Sequence, residues 1–153
     1  MKKVIASFGP PRSKRTTSLA YAAACMVVLM LIAQLFGYED FANILSSVVQ
    51  TNDSNLLTVT AGLLVIGELV ALPYLLRMYL SLLMRVVSAL CGFVVSGFWL
   101  LTSLTNAHVS NSGIFSSSLE LPGGVFAAIW SAVMFGLVCA VIFADSRFRH
   151  AHS

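Results

Sequence analysis

The basic residues of this chain alternate with long apolar runs, and this pattern leaves few folds open. All nine Lys and Arg residues fall before the first apolar run, between the second and third, or after the fourth: Lys2, Lys3, Arg12, Lys14, Arg15, Arg77, Arg85, Arg147 and Arg149. The two other connections, residues 38–55 and 106–121, contain neither Lys nor Arg. Because Lys and Arg collect in cytoplasmic loops, the pattern predicts four membrane crossings with both termini in the cytoplasm.

The lengths of the apolar runs agree with this topology. A helix needs about 20 apolar residues to cross a bilayer, and we place the spans near residues 17–37, 56–76, 86–105 and 125–144. With 58% hydrophobic and 10% charged residues, a soluble domain could not cover its apolar surface. We therefore predict an all-α membrane protein, a four-transmembrane-helix bundle that forms one integral domain over residues 1–153 of a cell (inner) membrane.

Two other interpretations of the basic residues fail. The sequence pI of about 9.0 would suit a nucleic-acid partner, but the basic residues flank membrane spans, where they orient the chain and contact anionic lipid. A signal peptide would have a shorter apolar region, of about 7–15 residues, than the first run. We predict that this run is a retained span, that the bilayer is the main partner, and that nucleic acid is not bound.

The connection between spans one and two contains an amphipathic pattern. Its apolar residues recur at helical spacing: Phe41, Ile44, Leu45, Val48 and Val49. Such a pattern predicts a short helix over about residues 40–50, lying in the outer headgroup plane. On the opposite side of the membrane, we expect residues 77–85 to form a hairpin connection and residues 145–153 to form a frayed tail.

Small residues recur every fourth position in two spans. The third span has Ser88, Gly92 and Ser96, and the fourth has Ala128, Ala132, Gly136 and Ala140, with Ala144 continuing the series. Close approach of small residues drives helix association in lipid. We expect these residues to pack helices within the chain, and the alternative is a homo-oligomer formed through an outward-facing series.

Glu68 is the main candidate for chemistry. It lies nine residues before Arg77, which places it about 13 Å from the inner edge at 1.5 Å per residue. An acidic residue near the midplane is a default hypothesis for ligand or proton binding. The structural alternative is a protonated carboxyl bonded to Ser96, Ser131 or a backbone carbonyl. Arg77 is not expected to reach Glu68, because its side chain extends towards the cytoplasm.

The remaining candidate ligands do not form a site. Cys25, Cys91 and Cys139 fall at a similar depth near the inner face, but no Cys-x-x-Cys is present, and buried packing is the expected role of such residues. No nucleotide-binding, serine-hydrolase or metalloprotease motif is present. We therefore predict no cofactor, no metal and no enzymatic activity.

The order of these parts resembles the DoxX-like four-span membrane proteins, especially their MauE-like (methylamine-utilisation) branch. The resemblance lies in the amphipathic outer helix, in the second-span segment Gly62–Glu68, and in Asn111–Phe115 and Leu119–Pro122 of the last outer connection. Gly113, Phe115 and Pro122 match the outer-loop motif of that branch. Its two cysteine positions are Ser112 and Ile114 in this sequence, so outer-side thiol exchange is not expected.

What this resemblance implies is an accessory role in respiration or redox maturation, beside a larger membrane or periplasmic partner. Glu68 matches the acidic position of the second span. We expect a small accessory multi-pass protein that supports such a partner or binds a lipophilic molecule such as a quinone. The alternative is a small proton-linked transporter or carrier subunit that uses Glu68. A redox enzyme that uses its three thiols is a third hypothesis.

Overall fold

A computed structural model describes residues 14–49, 51, 53–105, 112, 114–115 and 125–150, without the side chains of 42 and 147–150. Five helices occupy these residues: α1 (Lys14–Phe36), α2 (Tyr38–Val49), α3 (Ser54–Leu75), α4 (Leu82–Thr105) and α5 (Val125–His150). The part of the chain described contains no strand. Four helices, α1, α3, α4 and α5, are long and apolar enough to cross a membrane, so the predicted all-α four-helix fold is confirmed.

The four long helices form a ring. Helix α3 packs against α1 and α4, and α5 packs against α4 and α1. Large apolar side chains point away from the bundle on every long helix, for example Leu29, Ile66, Leu90 and Phe143. A soluble protein would bury such residues, so the surface fits a lipid bilayer. Below, the inner end of the bundle is the one that contains Arg77 and Arg85.

Helix boundaries differ from the prediction at the inner end. Helix α4 begins at Leu82 instead of 86, because the Ser81 hydroxyl accepts a hydrogen bond from the Met84 N–H at 3.3 Å and caps the helix. Helix α5 continues to His150, so the expectation that a frayed tail starts at Asp145 is wrong. The reason is that Asp145 is fixed by contacts with α3, described below.

Helix α2 forms at its predicted place, but its apolar face packs on protein. Phe41 and Leu45 are both 0% exposed, and α2 lies mainly against α3. The Phe41 ring lies 6.3 Å from that of Trp99, between ring centroids. The apolar face therefore covers the outer end of the bundle, where we had expected it to enter the headgroup layer.

The small residues of α4 lie at helix contacts. Ser88, Gly92 and Ser96 are buried, and a Cβ on Gly92 would lie 3.4 Å from the Ala71 Cβ. The closest approach is at Gly67 of α3, which the sequence did not indicate. A Cβ there would lie 2.7 Å from Val95 Cγ2.

The small residues of α5 face away from the neighbouring helices, so the packing role that we expected for them is wrong. Ala132, Gly136 and Ala140 are exposed, and Ala128 is half-buried. A Cβ on Gly136 would have no neighbour within 4 Å in the part of the chain that the structure describes. The buried face of α5 consists of other positions: Ala127, Ser131, Met134, Val138 and Val141. These residues already fill the space beside α1 and α4, so the small-residue series faces outward.

Candidate polar centre and apolar groove

Helix α3 carries Glu68 on its buried face. Ala61, Leu64 and Ala71 share that face, at the spacing of three or four residues that keeps side chains on one side of a helix. The Glu68 side chain is 1% exposed. The sequence of α3 thus places one carboxyl in the interior of an otherwise apolar contact surface.

Two donors from neighbouring helices meet at one oxygen of Glu68. Gln34 Nε2 of α1 donates to Glu68 Oε1 at 3.2 Å, and Trp99 Nε1 of α4 donates to the same oxygen at 3.1 Å. Gln34 Nε2 also donates to the Ile114 carbonyl at 3.2 Å. This polar centre, formed by Gln34, Glu68 and Trp99, connects three spans and the turn at 114–115.

The partners suggested for Glu68 by the sequence have other bonds. Ser96 donates to the Gly92 carbonyl at 2.6 Å, and the hydroxyls of Ser103 and Ser131 bond to each other at 3.0 Å. Those suggested partners were therefore wrong. The expectation that Arg77 does not pair with Glu68 agrees with the structure, in which Arg77 bonds to Asp145.

Three buried polar atoms, two of them in the polar centre, have unused hydrogen-bonding capacity. Glu68 Oε2, Gln34 Oε1 and Ser112 Oγ are buried, and none has a hydrogen-bond partner among the described residues. Buried polar atoms are nearly always paired in folded proteins. In either protonation state Glu68 Oε2 needs a partner: a donor when ionised, an acceptor when protonated. Within the polar centre, Glu68 Oε2 and Gln34 Oε1 are therefore the atoms that could still form a hydrogen bond.

An apolar groove of about 920 Å³ lies between α1 and α5 in the outer half of the bundle. Its residues come from both helices and the 114–115 turn: Met26, Leu29, Ile32, Ala33, Phe36, Phe115, Phe126, Ile129, Trp130 and Val133. Phe115 meets Trp130 edge to face, with ring centroids 5.2 Å apart. Among the side chains of this lining only Trp130 carries a polar hydrogen, and its Nε1 donates to Met30 Sδ at 3.4 Å.

A third cluster, at the inner end, was not predicted. Arg77 Nη1 donates to both oxygens of Asp145, at 2.8 and 2.7 Å, and the Tyr74 hydroxyl donates to Asp145 Oδ2 at 3.0 Å. A signal was present in the sequence, because Arg77 and Asp145 end spans two and four on the same side. We had used both residues only to mark where those spans end.

The other candidates do not come together. Cys25 is exposed, and Cys91 and Cys139 are half-buried. Among the described residues, no three His, Cys, Asp or Glu side chains could hold a metal ion together. Of the outer-loop motif, Phe115 is buried against the groove, while Gly113 and Pro122 lie outside the described residues.

Comparisons with known proteins do not add to this picture. No protein-family model matches the chain, and no curated protein or solved structure matches it. The DoxX-like and MauE-like resemblance therefore stays a prediction.

Proposed function

We propose that this chain is a small accessory, non-enzymatic membrane protein that binds a lipophilic molecule in the groove between α1 and α5. The groove carries the proposal. Its volume of about 920 Å³ falls in the range of small-molecule sites, about 300–1,000 Å³. Exposed groove residues such as Leu29 and Ile129 border lipid, so a ligand dissolved in the bilayer can enter from the side.

The groove also favours one class of ligand. Trp130 Nε1 donates to a thioether sulfur, which is a weak acceptor, and a carbonyl oxygen is a better one. The aromatic pair of Phe115 and Trp130 offers ring surfaces for stacking. A ring that carries carbonyl groups and an apolar tail, as in a quinone, meets both conditions.

Binding of a decyl-benzoquinone to the purified chain in liposomes tests this proposal. Ala33→Phe places a ring in the groove, and we expect it to raise the Kd about tenfold. The matched control is Ala140→Phe, the same change at an exposed α5 position outside the groove, and it should leave the Kd unchanged. Non-saturable uptake, equal in both variants, would mean partition into lipid and would reject the site.

The accessory role extends to partners and placement. We propose that the chain lies in a cell inner membrane with both termini in the cytoplasm, supported by the distribution of Lys and Arg. By its DoxX-like resemblance, it would assist a larger membrane or periplasmic redox partner. The outward small residues Ala132, Gly136 and Ala140 support homo-oligomer formation through α5. Co-purification from a mild detergent, followed by mass determination, tests both kinds of association.

A second candidate function is proton-linked transport through Glu68. It is favoured by Glu68 Oε2, which has no hydrogen-bond partner among the described residues. Proton flux in liposomes should then be lost in Glu68→Gln. The matched control is Asp53→Asn, which also removes one carboxylate. Asp53 caps α3 through the Asn55 N–H at 3.0 Å, and Asn caps helices equally well. Unchanged flux in Glu68→Gln would eliminate transport.

A further inference from the structure

Arg77 ends helix α3 in a conformation that usually requires glycine. Its φ is 57°. The Met78 N–H bonds to the Pro73 carbonyl at 3.0 Å, and the Arg77 N–H bonds to the Tyr74 carbonyl at 3.1 Å. This is the Schellman ending, in which glycine is the commonest residue at the left-handed position. An arginine at this left-handed position indicates that its side chain has a structural or binding role.

Among the described residues, the guanidinium of Arg77 forms hydrogen bonds through Nη1 alone. Nη1 holds both oxygens of Asp145. The other two nitrogens, Nε and Nη2, are buried and have no hydrogen-bond partner among the described residues. The N–H groups of these two atoms point the same way, and this planar fork matches two oxygens of a phosphate or carboxylate. The side chain is 5% exposed, so bulk water does not satisfy the fork.

The surroundings of the fork favour an anion. Arg85 is 7% exposed, and it lies close enough to the Tyr74 hydroxyl to interact with it electrostatically. Arg77 and Arg85 contribute two positive charges, and Asp145 contributes one negative charge. Arg85 is therefore a second positive charge near the fork, and a positive charge attracts an anion.

The position of the cluster points to lipid. It lies where α3 ends and α4 begins, and the connection beside it exposes Met78 and Tyr79. Exposed aromatic and apolar residues at a span end sit at headgroup level. Basic pockets between helices on the cytoplasmic side hold anionic headgroups.

We propose that the Nε–Nη2 edge of Arg77, assisted by Arg85, binds the phosphate of an anionic phospholipid. The phosphodiester accepts both N–H groups of the fork, and the two guanidinium groups attract its negative charge. Because the fork is shielded, the side chains that cover it have to move for the headgroup to reach it. This site is separate from the groove between α1 and α5, and neither proposal depends on the other.

Native mass spectrometry of the full chain in a neutral detergent tests this site. The probes are phosphatidylglycerol, phosphatidylcholine with the same acyl chains, and inorganic phosphate. We expect phosphatidylglycerol to bind about tenfold more tightly than phosphatidylcholine. Arg77→Lys keeps the charge but loses the fork, and it should weaken phosphatidylglycerol binding about fivefold or more. Equal affinity for the two lipids would overturn the proposal.

Two further variants keep the result interpretable. Arg85→Gln leaves the contact between Arg77 and Asp145 in place and should also weaken phosphatidylglycerol binding, so the test survives if Arg77→Lys does not fold. Arg15→Gln removes an exposed charge at the same end of the bundle and should change the affinity less than about twofold. An equal effect of Arg15→Gln and Arg85→Gln would indicate non-specific attraction and reject the site. Inorganic phosphate that bound as tightly as phosphatidylglycerol would assign the fork to a free anion and overturn the lipid assignment.

Discussion

Replacing Gln34 by leucine tests whether the polar centre holds the spans together. The leucine fills nearly the same volume but removes two buried hydrogen bonds, one to Glu68 Oε1 and one to the Ile114 carbonyl. Hydrogen bonds between membrane helices contribute about 0.6 kcal/mol on average and at most about 1.7. The Ile114 carbonyl also loses its donor, and an unsatisfied buried group costs about 1–3 kcal/mol. We expect Gln34→Leu to lower the free energy of unfolding by about 1–3 kcal/mol.

The matched comparison is Glu68→Gln. The new amide keeps an acceptor oxygen for Gln34 and Trp99, so we expect a loss below about 1 kcal/mol. Thr60→Val serves as a further control, because the Thr60 hydroxyl donates within its own helix, to the Leu56 carbonyl at 2.7 Å. The free energy of unfolding is measured by titrating dodecyl sulfate into mixed micelles. A Gln34→Leu variant as stable as Thr60→Val, or less affected than Glu68→Gln, would refute the reasoning.

Three other changes test the packing and the inner cluster. Asp145→Ala leaves Arg77 buried without its partner and should lower the free energy of unfolding by about 3–5 kcal/mol in the same titration. The double change Arg77→Met and Asp145→Leu should recover much of that free energy. A loss below about 1 kcal/mol in Asp145→Ala would mean that the pair is solvated. Gly67→Ala should cost about 1–3 kcal/mol, because its Cβ would meet Val95 Cγ2 at 2.7 Å, and Val95→Ala should relieve the loss. Gly136→Ala should be neutral, because no atom of the described residues would lie within 4 Å of the new Cβ. Gly136→Ile should abolish any homo-oligomer formed through α5, measured by mass in detergent, and an unchanged mass would place the interface elsewhere.

The sequence predicted the spans well, because charge and hydropathy act residue by residue along the chain. The partners of Glu68 depend on how each helix is rotated about its axis and on the direction of its side chains. Counting residues along the sequence gives neither of these. Side chains lean towards the N-terminus of their helix. Helix α3 is antiparallel to α1 and α4, so Glu68 leans towards the outer end while Gln34 and Trp99 lean inwards. The three meet although their Cα atoms lie at different depths.

The same limit explains the outcome for the small residues. Small residues recur at every fourth position in both α4 and α5, yet only the α4 series is buried. On α5, the face used for packing carries Met134 and Val138, residues large enough to fill the space beside the neighbouring helices. Spacing identifies a face that permits close approach. Which face packs in the bundle depends on the space and the side chains of the neighbouring helices.

The distribution of polar contacts also indicates where the bundle can open. Inside lipid, helices are held by packing and hydrogen bonds, because lipid is as apolar as the side chains. The polar centre connects α1, α3 and α4, the contact between Arg77 and Asp145 connects α3 and α5, and Ser103 bonds to Ser131 between α4 and α5. For α1 and α5 the described side-chain bonds include only the weak one from Trp130 Nε1 to Met30 Sδ. Hydrogen bonds therefore resist the separation of these two helices less than that of the other neighbouring pairs, and they are the pair that encloses the groove.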